Sequence, residues 1–491
     1  MEEGSTKILY GLDDKPPFAR AAVLGLQHVL TMFGSTVAVP LLLGPAMGMN
    51  TAEIALLISS VMLCSGVATL IQVTFGSRLP IIQGVSFSFL AAFTVIIATV
   101  SADDTLKGHP MQYIAGAVIV GAIFEMLIGF TGLMGLIRKI LSPVVVGPVI
   151  MLIGLALYQA GAPVAASDWP IAIVTLMLIT VFSFVLSRNN MIFRMFPMLL
   201  AILGAVALCG VLAGIGVYGE DHAARPNLSA FSQAEWIRIG DVFFPWGWPL
   251  FEVGFIVAIL AGYLASMVES FGDYHAVKQM AGAGNPTPKE ISRGIGCEGI
   301  GCALTGVFGG FSSTSYSENI GLVGLTRVAS RYVVQLGAIM LILIGLFGKF
   351  GALAAAIPTP VVGGLYCAMF GLIAAVGVRQ FAKADLSSDR NLFIGGFALF
   401  MGLSVPAWFG SADGKAAMAS LNETLTGAGD LLGSIGGTGM AVAAILGITL
   451  DNLIPGTKTE RGLEPRRPST LIQEADDIDA PTAAPSEGDP Q

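Results

Sequence analysis

Long runs of apolar residues constrain this chain more than any other feature of its sequence. The windows 54–75, 114–132, 171–186 and 361–378 carry very few charges. At 1.5 Å per residue, a helix of about 20 residues crosses a hydrocarbon core about 30 Å thick. Lipid offers no partner for backbone N–H and C=O groups, so these windows are predicted to be helices. With 54% apolar and 12% charged residues, the sequence predicts an all-α polytopic membrane protein.

The loops between the apolar windows predict how the chain is oriented. We predict about fourteen spans, at 18–43, 53–75, 79–99, 112–134, 142–161, 169–187, 192–217, 250–273, 292–310, 312–327, 333–350, 358–378, 391–408 and 431–452. If the chain starts inside, twenty of its 25 Lys and Arg residues face the cytoplasm. The positive-inside rule therefore predicts a protein of the cell membrane with both termini cytoplasmic.

The order of the spans predicts an internal repeat. The longest polar interruption, 218–241, divides them seven and seven, so the second half enters the membrane from the opposite side. The third segment of each half is interrupted: "RLPIIQGVSFSFL" (78–90) and "FSSTSYSENIGLVGLTR" (311–327) mix Gly, Ser and aromatic residues. Paired interruptions at matching positions in an inverted repeat indicate a substrate site near the middle of the membrane.

The interrupted segments also predict local structure. Residue types alternate along 85–89 and 313–317, which favours short extended strands. We predict that each segment is a short antiparallel strand followed by a half-helix whose N-terminus faces the bilayer centre. The first N–H groups of such a helix have no intrahelical partner and can bind a ligand.

Ionisable residues deep in the spans are costly there and are therefore candidates for function. Glu269 and Asp273 are four residues apart and share one face of a predicted helix. Glu318 follows the predicted break in the tenth segment. His28, beside Gln27, is predicted either to hydrogen-bond Glu269 or Glu318 and tune them, or to be a satisfied structural histidine.

Two carboxylates next to free backbone amides suit a particular kind of ligand. A planar amide such as a pyrimidinedione carries N–H donors and C=O acceptors around its rim. Carboxylates accept from the N–H groups, and backbone amides donate to the carbonyls. A carboxylate in a dry site also takes up a proton more readily than one in water, so transport could be coupled to protons.

Other sequence features exclude several classes of function. "GIGCEG" (294–299) matches GxGxxG but lies in a membrane segment, where close packing by small residues is the better interpretation. Its Glu298, like Glu125, is open to a structural or a functional reading. The sequence has no Walker A motif, hydrolase elbow or zinc signature, and its five cysteines are scattered. We therefore predict no enzyme, no cofactor, no metal site and, without a basic stripe, no nucleic-acid partner.

Three motifs together resemble the nucleobase–ascorbate transporter family, also called nucleobase-cation symporter-2, which includes bacterial uracil and xanthine permeases. They are the family signature, present as "ENIGLVGLTR" (318–327), the Gln-His pair of the first span, and "ESFGD" (269–273) in the eighth. The resemblance spans residues 18 to 452. It implies a seven-plus-seven inverted repeat with a core and a gate domain, an elevator-like core motion, and a homodimer formed through the gate domains.

The resemblance also implies a division of the chain. The expected segments are a cytoplasmic N-terminal segment (1–17), a first core segment (18–135, spans 1–4), a first gate segment (142–217, spans 5–7), an extracytoplasmic loop (218–249), a second core segment (250–350, spans 8–11), a second gate segment (358–452, spans 12–14) and a disordered acidic cytoplasmic tail (453–491).

The resemblance further implies which residues bind substrate. Those expected to line the pocket are Glu269, Glu318, Phe87, Ser317, Tyr316 and Asn319. Those expected to serve proton coupling or tune the site are His28, Gln27, Asp273 and Glu269. The coupling ion would be a proton, with sodium as the alternative.

The first signature position bears on the substrate. Glu is usual there in uracil permeases, Gln in xanthine and urate carriers, and Pro in vertebrate ascorbate carriers, so Glu318 favours uracil import by proton symport. Two departures weaken that assignment: Asp273 stands where uracil permeases have a second His, so that "ESFGDY" (269–274) looks more like the purine- and ascorbate-type branches, and Ser317 replaces the Gly of the uracil-permease type. A xanthine, urate or other purine-base carrier is therefore the alternative. An anion carrier on the same fold, or a non-transporting receptor or channel, is a further alternative.

Overall fold

Helices follow one another along most of the chain. The computed structural model describes residues 8–103, 105–425 and 427–464. The first half contains α1 (Phe18–Ala46), α2 (Thr51–Thr74), α3 (Leu90–Ala102), α4 (Pro110–Thr131), α5 (Met134–Ile140), α6 (Pro143–Ala156), α7 (Tyr158–Ala165), α8 (Trp169–Thr180), α9 (Met191–Met195) and α10 (Pro197–Gly214). After α11 (Ser229–Gln233), the second half contains α12 (Val253–Met280), α13 (Pro288–Val307), α14 (Ser317–Thr326), α15 (Arg331–Leu346), α16 (Gly348–Ala355), α17 (Thr359–Phe381), α18 (Asp389–Phe409), α19 (Ala412–Thr424), α20 (Ala428–Gly436) and α21 (Gly439–Leu453). The two strands are β1 (Gln83–Val85) and β2 (Ser313–Ser315).

The helices confirm the predicted class of an all-α polytopic membrane protein. Among the described residues, nine helical stretches are long and apolar enough to cross a bilayer, or eleven if two bent pairs each count as one span. The bent pairs are α15–α16, with an angle of 79°, and α20–α21, with 87°. The remaining predicted spans are α13 and the two broken segments. The count of fourteen complete crossings stays a prediction.

Local sequence signals explain where many helices begin. Asn50 accepts from the N–H groups of Ala52 and Glu53, and the Glu53 side chain accepts in return from the Asn50 N–H. The same capping box starts α13, and proline occupies the first turn of α4, α6 and α13. The helix α19 was not predicted, because it is too polar and too short to look like a span.

Helices of the first half of the chain pack against helices of the second half. Helix α2 lies along α15, and α4 lies along α13; in the same way α1 contacts α15, and α12 contacts α4. If α1, α2 and α4 are equivalent to α12, α13 and α15, each of these contacts has its counterpart in the other half. This is the arrangement that the predicted inverted repeat requires.

The strands join the two broken segments. They are antiparallel, as predicted, with the pairs Gln83↔Ser315, Gly84↔Thr314 and Val85↔Ser313. In the second segment the strand ends at Ser315 and α14 begins at Ser317, so the predicted strand and half-helix are confirmed there.

In the first segment the predicted position of the strand is wrong. The alternating residues after Val85 are not extended, and Phe87–Phe89 forms a 3₁₀ turn that leads into α3. The reason is local: the Ser86 side chain accepts from the Ser88 N–H at 3.2 Å, and so caps the turn. Alternation of side-chain type alone did not distinguish a strand from a capped turn.

Glycines allow α4 and α13 to approach closely. A Cβ on Gly129 would lie 2.2 Å from the backbone nitrogen of Gly296, and one on Gly299 would lie 2.8 Å from Cγ of Met126. Such distances leave no room for any side chain. The GxGxxG match at 294–299 therefore serves helix packing, and that interpretation is confirmed.

Burial separates two groups of helices. In the most apolar window of α10, of α18 and of the helical stretch Trp169–Arg188 that begins with α8, only 22% of the residues are buried, compared with 61% for α1 and 78% for α2. The exposed side chains of the first group include Met177, Leu203 and Phe400. These apolar surfaces fit contact with the lipid bilayer.

The chain after α21 differs from the disorder expected of it. Arg461 donates to Asp451 at 2.7 Å, and the Asn391 side-chain amide donates to the Glu460 carbonyl at 2.7 Å. Residues up to 464 are therefore tied to the start of α18. The rest of the predicted tail, 465–491, lies outside the described residues.

The predicted N-terminal segment is also held in place where it is described. The Leu9 N–H donates to the Arg327 carbonyl at 2.9 Å, and the Ala329 N–H donates to the Tyr10 carbonyl at 2.8 Å. These bonds attach the chain before α1 to the end of α14. Residues 1–7 lie outside the described residues.

Candidate substrate site between the broken segments

Tyr316 fixes the two broken segments against each other. Its hydroxyl donates to the Val85 carbonyl at 2.9 Å and accepts from Thr36 at 3.3 Å. Its ring lies over Gly84, where a Cβ would come within 2.5 Å of the Tyr316 Cζ. Glycine is required at this position because the ring and the strand approach so closely.

Glu318 stands at the start of α14, where the polypeptide changes from strand to helix. Its side chain is exposed, and Oε1 accepts a hydrogen bond from Ser35 of α1 at 3.1 Å. The first N–H groups of a helix have no intrahelical partner, and an acidic residue is favoured beside them. This end of α14 thus presents both an acceptor and donors.

Glu269 approaches the same place from α12. Its side chain is half-buried and interacts with the Ser88 hydroxyl of the 3₁₀ turn. Glu318 and Asp273 both lie within electrostatic range of the Glu269 carboxylate. The structure therefore brings together the acids that the sequence identified in the eighth and tenth spans.

Asp273 is buried and bound by two serines of the second broken segment. Ser315 donates to Oδ2 at 2.7 Å, and Ser317 donates to Oδ1 at 2.8 Å. One of these serines lies at the end of β2 and the other at the start of α14. Asp273 thus connects α12 to both sides of the break.

Among the described residues His28 hydrogen-bonds neither Glu269 nor Glu318, which favours the alternative of a satisfied structural histidine. Its ring Nδ1 lies 3.2 Å from the side-chain amide of Asn319, which also donates to the His28 carbonyl at 2.9 Å. Asn319, fully buried, therefore ties α14 to α1. The neighbouring Gln27 has a buried Oε1 without a hydrogen-bond partner among the described residues.

The other predicted substrate contacts differ in exposure. Ser317 is exposed and Phe87 is half-buried, so both can reach a ligand beside Glu318. Tyr316 is buried, and its hydroxyl is used by Thr36 and Val85. Its contribution is to hold the strands, and a direct contact of Tyr316 with substrate stays a prediction.

Comparison with known proteins identifies the family. The profile of a permease family matches residues 19–411. Solute carrier family 23 member 2 of Rattus norvegicus is 36% identical over 508 residues, covering 94% of this chain and 77% of that protein. Nucleobase-ascorbate transporter 2 of Arabidopsis thaliana is 35% identical over 472 residues, covering 92% and 89%.

The chain belongs to the nucleobase–ascorbate transporter family of permeases. The resemblance drawn from the three motifs is thereby confirmed, as is the prediction that the protein is a transporter and not an enzyme.

Solved structures of more distant proteins share the fold of this permease. The transmembrane domain of the cyanobacterial bicarbonate transporter BicA aligns with a TM-score of 0.54 at 15% identity, over 86% of this chain and 98% of that one. SLC26A9 aligns with a TM-score of 0.54 at 10% identity, over 89% and 66%. The fold of this permease is therefore not confined to close relatives.

Sequence reasoning missed several polar residues of the permease site. Ser35 lies seven residues after His28, so helical spacing would have placed both on one face of α1. Ser88 belongs to the first broken segment, where only its aromatic neighbour Phe87 was predicted to contact substrate. Lys383, in the loop after α17, lies within electrostatic range of Asp273 and was not among the predicted site residues.

Proposed function

We propose that this permease imports a nucleobase, uracil in first place, by proton symport. The observation that carries the proposal is the exposed carboxylate of Glu318 at the first turn of α14, with Glu269 facing it from α12. Carboxylates accept hydrogen bonds from ring N–H groups, and nucleobases carry such groups. An anionic ligand would be repelled by the charges of the two carboxylates.

A base in this position would use the break itself. The ring N–H groups would donate to Glu269 and Glu318, while backbone N–H groups at the start of α14 would donate to a ring carbonyl. Phe87, half-buried in the first segment, would cover one face of the ring. The Ser317 side chain is occupied by Asp273, which leaves its backbone amide for the ligand.

Proton coupling is supported by how Asp273 is held. A proton on this carboxylate would remove an acceptor from Ser315 or Ser317, and Ser317 begins the helix that carries Glu318. The proton on Asp273 and the base on Glu318 would thus affect the same turn of the chain. His28 and Gln27 act on that turn less directly, through Asn319. Coupling to sodium in place of the proton is the alternative.

We also propose that α1–α4 and α12–α16 form the core domain, that α6–α10 and α17–α21 form the gate, and that the core moves as an elevator. A cleft of about 750 Å³ lies between α1 and α17 on the side of residues 220–228, where such a motion would need space. The poorly buried helices α8, α10 and α18 of the gate offer surface for a homodimer in the bilayer.

The first experiment measures binding. Purified permease is heated with uracil, thymine, xanthine, hypoxanthine, urate or ascorbate, since a true ligand raises the melting temperature by mass action. Uracil is expected to give the largest rise and to enter proteoliposomes when the outside is acidic. A rise with ascorbate alone would overturn the nucleobase proposal, and uptake driven only by a sodium gradient would overturn proton coupling.

A second candidate is a purine base such as xanthine or urate. It is favoured by Asp273 and Ser317, which differ from the uracil-permease pattern at the two positions that contact each other here at 2.8 Å. The same ligand series separates the two candidates. Anion transport is the weaker alternative, because an anion would meet Glu269, Glu318 and Asp273 with only Lys383 to offset them among the described residues.

A further inference from the structure

Behind the candidate site lies a second acidic group that the proposed function does not use. Glu298 of α13 is 1% exposed and accepts three hydroxyl hydrogen bonds: from Ser266 at 3.1 Å, Ser270 at 2.7 Å and Tyr274 at 2.9 Å. All three donors belong to α12. Hydroxyl groups of the protein therefore take the place of water around the Glu298 carboxylate.

A chain of hydroxyl groups leads from Glu298 to the site. Ser270 Oγ lies 2.7 Å from Glu298 and 3.0 Å from Ser315 Oγ, which lies 2.7 Å from Asp273. Ser317, exposed at the site, binds the other oxygen of Asp273. Two hydroxyls and two carboxyl groups are thus linked by three short contacts, from the interior to the exposed start of α14.

Counting hydrogens shows that this chain has room for one proton from an acid, although Ser270 Oγ also lies 3.2 Å from the Thr314 hydroxyl and 3.4 Å from the Ser315 backbone nitrogen. Three hydrogen bonds require three hydrogens, and the hydroxyls of Ser270 and Ser315 supply two. When both carboxyl groups are ionised, both serines donate outward and the contact between them has no hydrogen. A proton on Glu298 or Asp273 supplies the third hydrogen, and the chain can then relay it.

Glu125 of α4 provides the place where such a proton can be kept. It is 0% exposed, neither of its carboxyl oxygens accepts a hydrogen bond from an N–H or O–H group of the described residues, and it lies beside the weakly donating Cys302 thiol and within electrostatic range of Glu298. An ionised carboxylate without N–H or O–H donors is strongly disfavoured in a buried site, and two like charges so placed disfavour each other further. The glycine contact between α4 and α13, at Gly129, Gly296 and Gly299, seals the pair from solvent.

We propose that Glu125 and Glu298 form a proton-binding pair that carries one proton and one negative charge, and that exchanges this proton with the substrate site through Ser270, Ser315 and Asp273. The role of this proton in transport rests on the proposed proton symport. The presence of the proton does not, and it is tested without substrate.

The groups that face the pair and the chain are mostly neutral or acidic. From α12 and α13 these are Tyr263, Glu269, Tyr274 and Cys302. At the far end, Lys383 and Glu318 face Asp273. The Lys383 charge favours an ionised Asp273, whereas the Glu318 charge disfavours it.

The test uses infrared spectroscopy of the full chain with ¹³C-labelled glutamate, in a Glu269→Gln/Glu318→Gln background. This background removes both site glutamates and is expected to lack transport, so the result is independent of substrate. We expect a carboxylic acid C=O band at neutral pH that is lost in Glu125→Gln, kept but shifted in frequency in Glu298→Gln, and unchanged in Glu423→Gln, an exposed control on α19. The path is tested by Ser270→Ala, which should slow exchange of this band in D₂O by about tenfold, the effect of one lost hydrogen bond.

Each outcome decides between the alternatives. If the labelled background protein shows no glutamic acid band, or if Glu125→Gln keeps the band, or if Glu298→Gln leaves it unshifted, the pair does not share a proton and the proposal is wrong. If Ser270→Ala exchanges as fast as its parent, the proposed path is wrong. Should Glu125→Gln fail to fold, the band and its exchange in the unsubstituted background still decide. Failure of the nucleobase proposal would appear elsewhere, as absent uracil binding in the unmodified protein.

Discussion

The two broken segments have the same geometry and opposite chemistry. Each follows the second helix of its half, contributes one strand to the β1–β2 pair and continues into a helix. The first runs through Phe87 and Phe89 into the entirely apolar start of α3. The second runs through the hydroxyl residues of 313–317 to Glu318 and Asn319.

This difference shows that the inverted repeat constrains the backbone of both segments but not the side chains that each segment carries. Strand pairing uses only backbone groups, so it tolerates any side chains that fit. The first segment therefore supplies packing and one hydroxyl, that of Ser88, while the second supplies charge and most of the polar contacts. Removing an acid at the second segment should therefore reduce transport more than removing the hydroxyl of the first.

The largest effect is expected from removing the carboxylate that the second segment places at the site. Glu318→Gln, and likewise Glu269→Gln on α12, keeps the shape but loses a charge-assisted hydrogen bond to the base. A loss of about 1.5–3 kcal/mol at each lowers uracil uptake by about 10- to 100-fold. Uptake of labelled uracil into cells with equal amounts of each protein measures this.

The counterpart in the first segment is Ser88→Ala, which removes a neutral hydroxyl beside Glu269. It should reduce uptake by less than about tenfold. If Glu318→Gln or Glu269→Gln transports like the parent, or if Ser88→Ala is the most damaging of the three, the assignment of charge to the second segment is wrong.

The next prediction concerns the glycine of β1. Gly84→Ala places a methyl group 2.5 Å from the Tyr316 ring, so strand or ring must move. Overpacking of this kind costs about 1–3 kcal/mol. The melting temperature in detergent should fall, and uracil binding should weaken because Tyr316 precedes the site.

A matched control is available in the second segment. Around Gly321 of α14 nothing described lies within 4 Å of an added Cβ, so Gly321→Ala should be neutral or slightly stabilising. Equal melting temperatures for the two alanine variants would contradict the importance of the contact between β1 and Tyr316.

These residues also show how much of the fold and of the candidate site could be predicted from the sequence. Composition and charge bias predicted the spans, because lipid imposes them on any sequence, and the odd number of spans per half predicted the repeat. Glu269, Asp273 and Glu318 were recognised because charge is rare in a membrane. The partner of His28 was not, since Asn319 comes from a segment 291 positions away and only the fold brings them together.

Neutral polar residues were the main group of site residues that the sequence did not predict. Ser35, Ser88 and Ser270 carry no signal of their own in a chain where serine is common inside helices, yet each contacts an acid. The 3₁₀ turn at 87–89 was misread for a related reason. A side-chain hydrogen bond to Ser86 decided the backbone there, and residue alternation does not report such bonds.

A smaller effect is expected at the tyrosine that connects the segments. Tyr316→Phe keeps the ring over Gly84 but loses the hydrogen bonds with Val85 and Thr36. The free energy of unfolding should fall by about 1 kcal/mol, because the Val85 carbonyl loses a buried donor. Denaturant unfolding in detergent measures this, and Thr36→Val should produce a similar loss. An affinity for uracil that falls by about tenfold without loss of stability would instead support direct contact of Tyr316 with the base.

The smallest effect separates the two phenylalanines of the first segment. Phe87 is half-buried and is proposed to cover the base, whereas Phe89 is fully buried with its ring edge-on to Tyr263 at 4.8 Å. Phe87→Leu should therefore weaken uracil binding by about 0.5–1.5 kcal/mol, the value of an aromatic stacking contact, and leave the melting temperature almost unchanged. Phe89→Leu should do the reverse, since it loses interior packing and no ligand contact. Titration calorimetry and thermal unfolding on the same two variants measure both quantities, and an affinity loss confined to Phe89→Leu would place the base on the other side of the 3₁₀ turn.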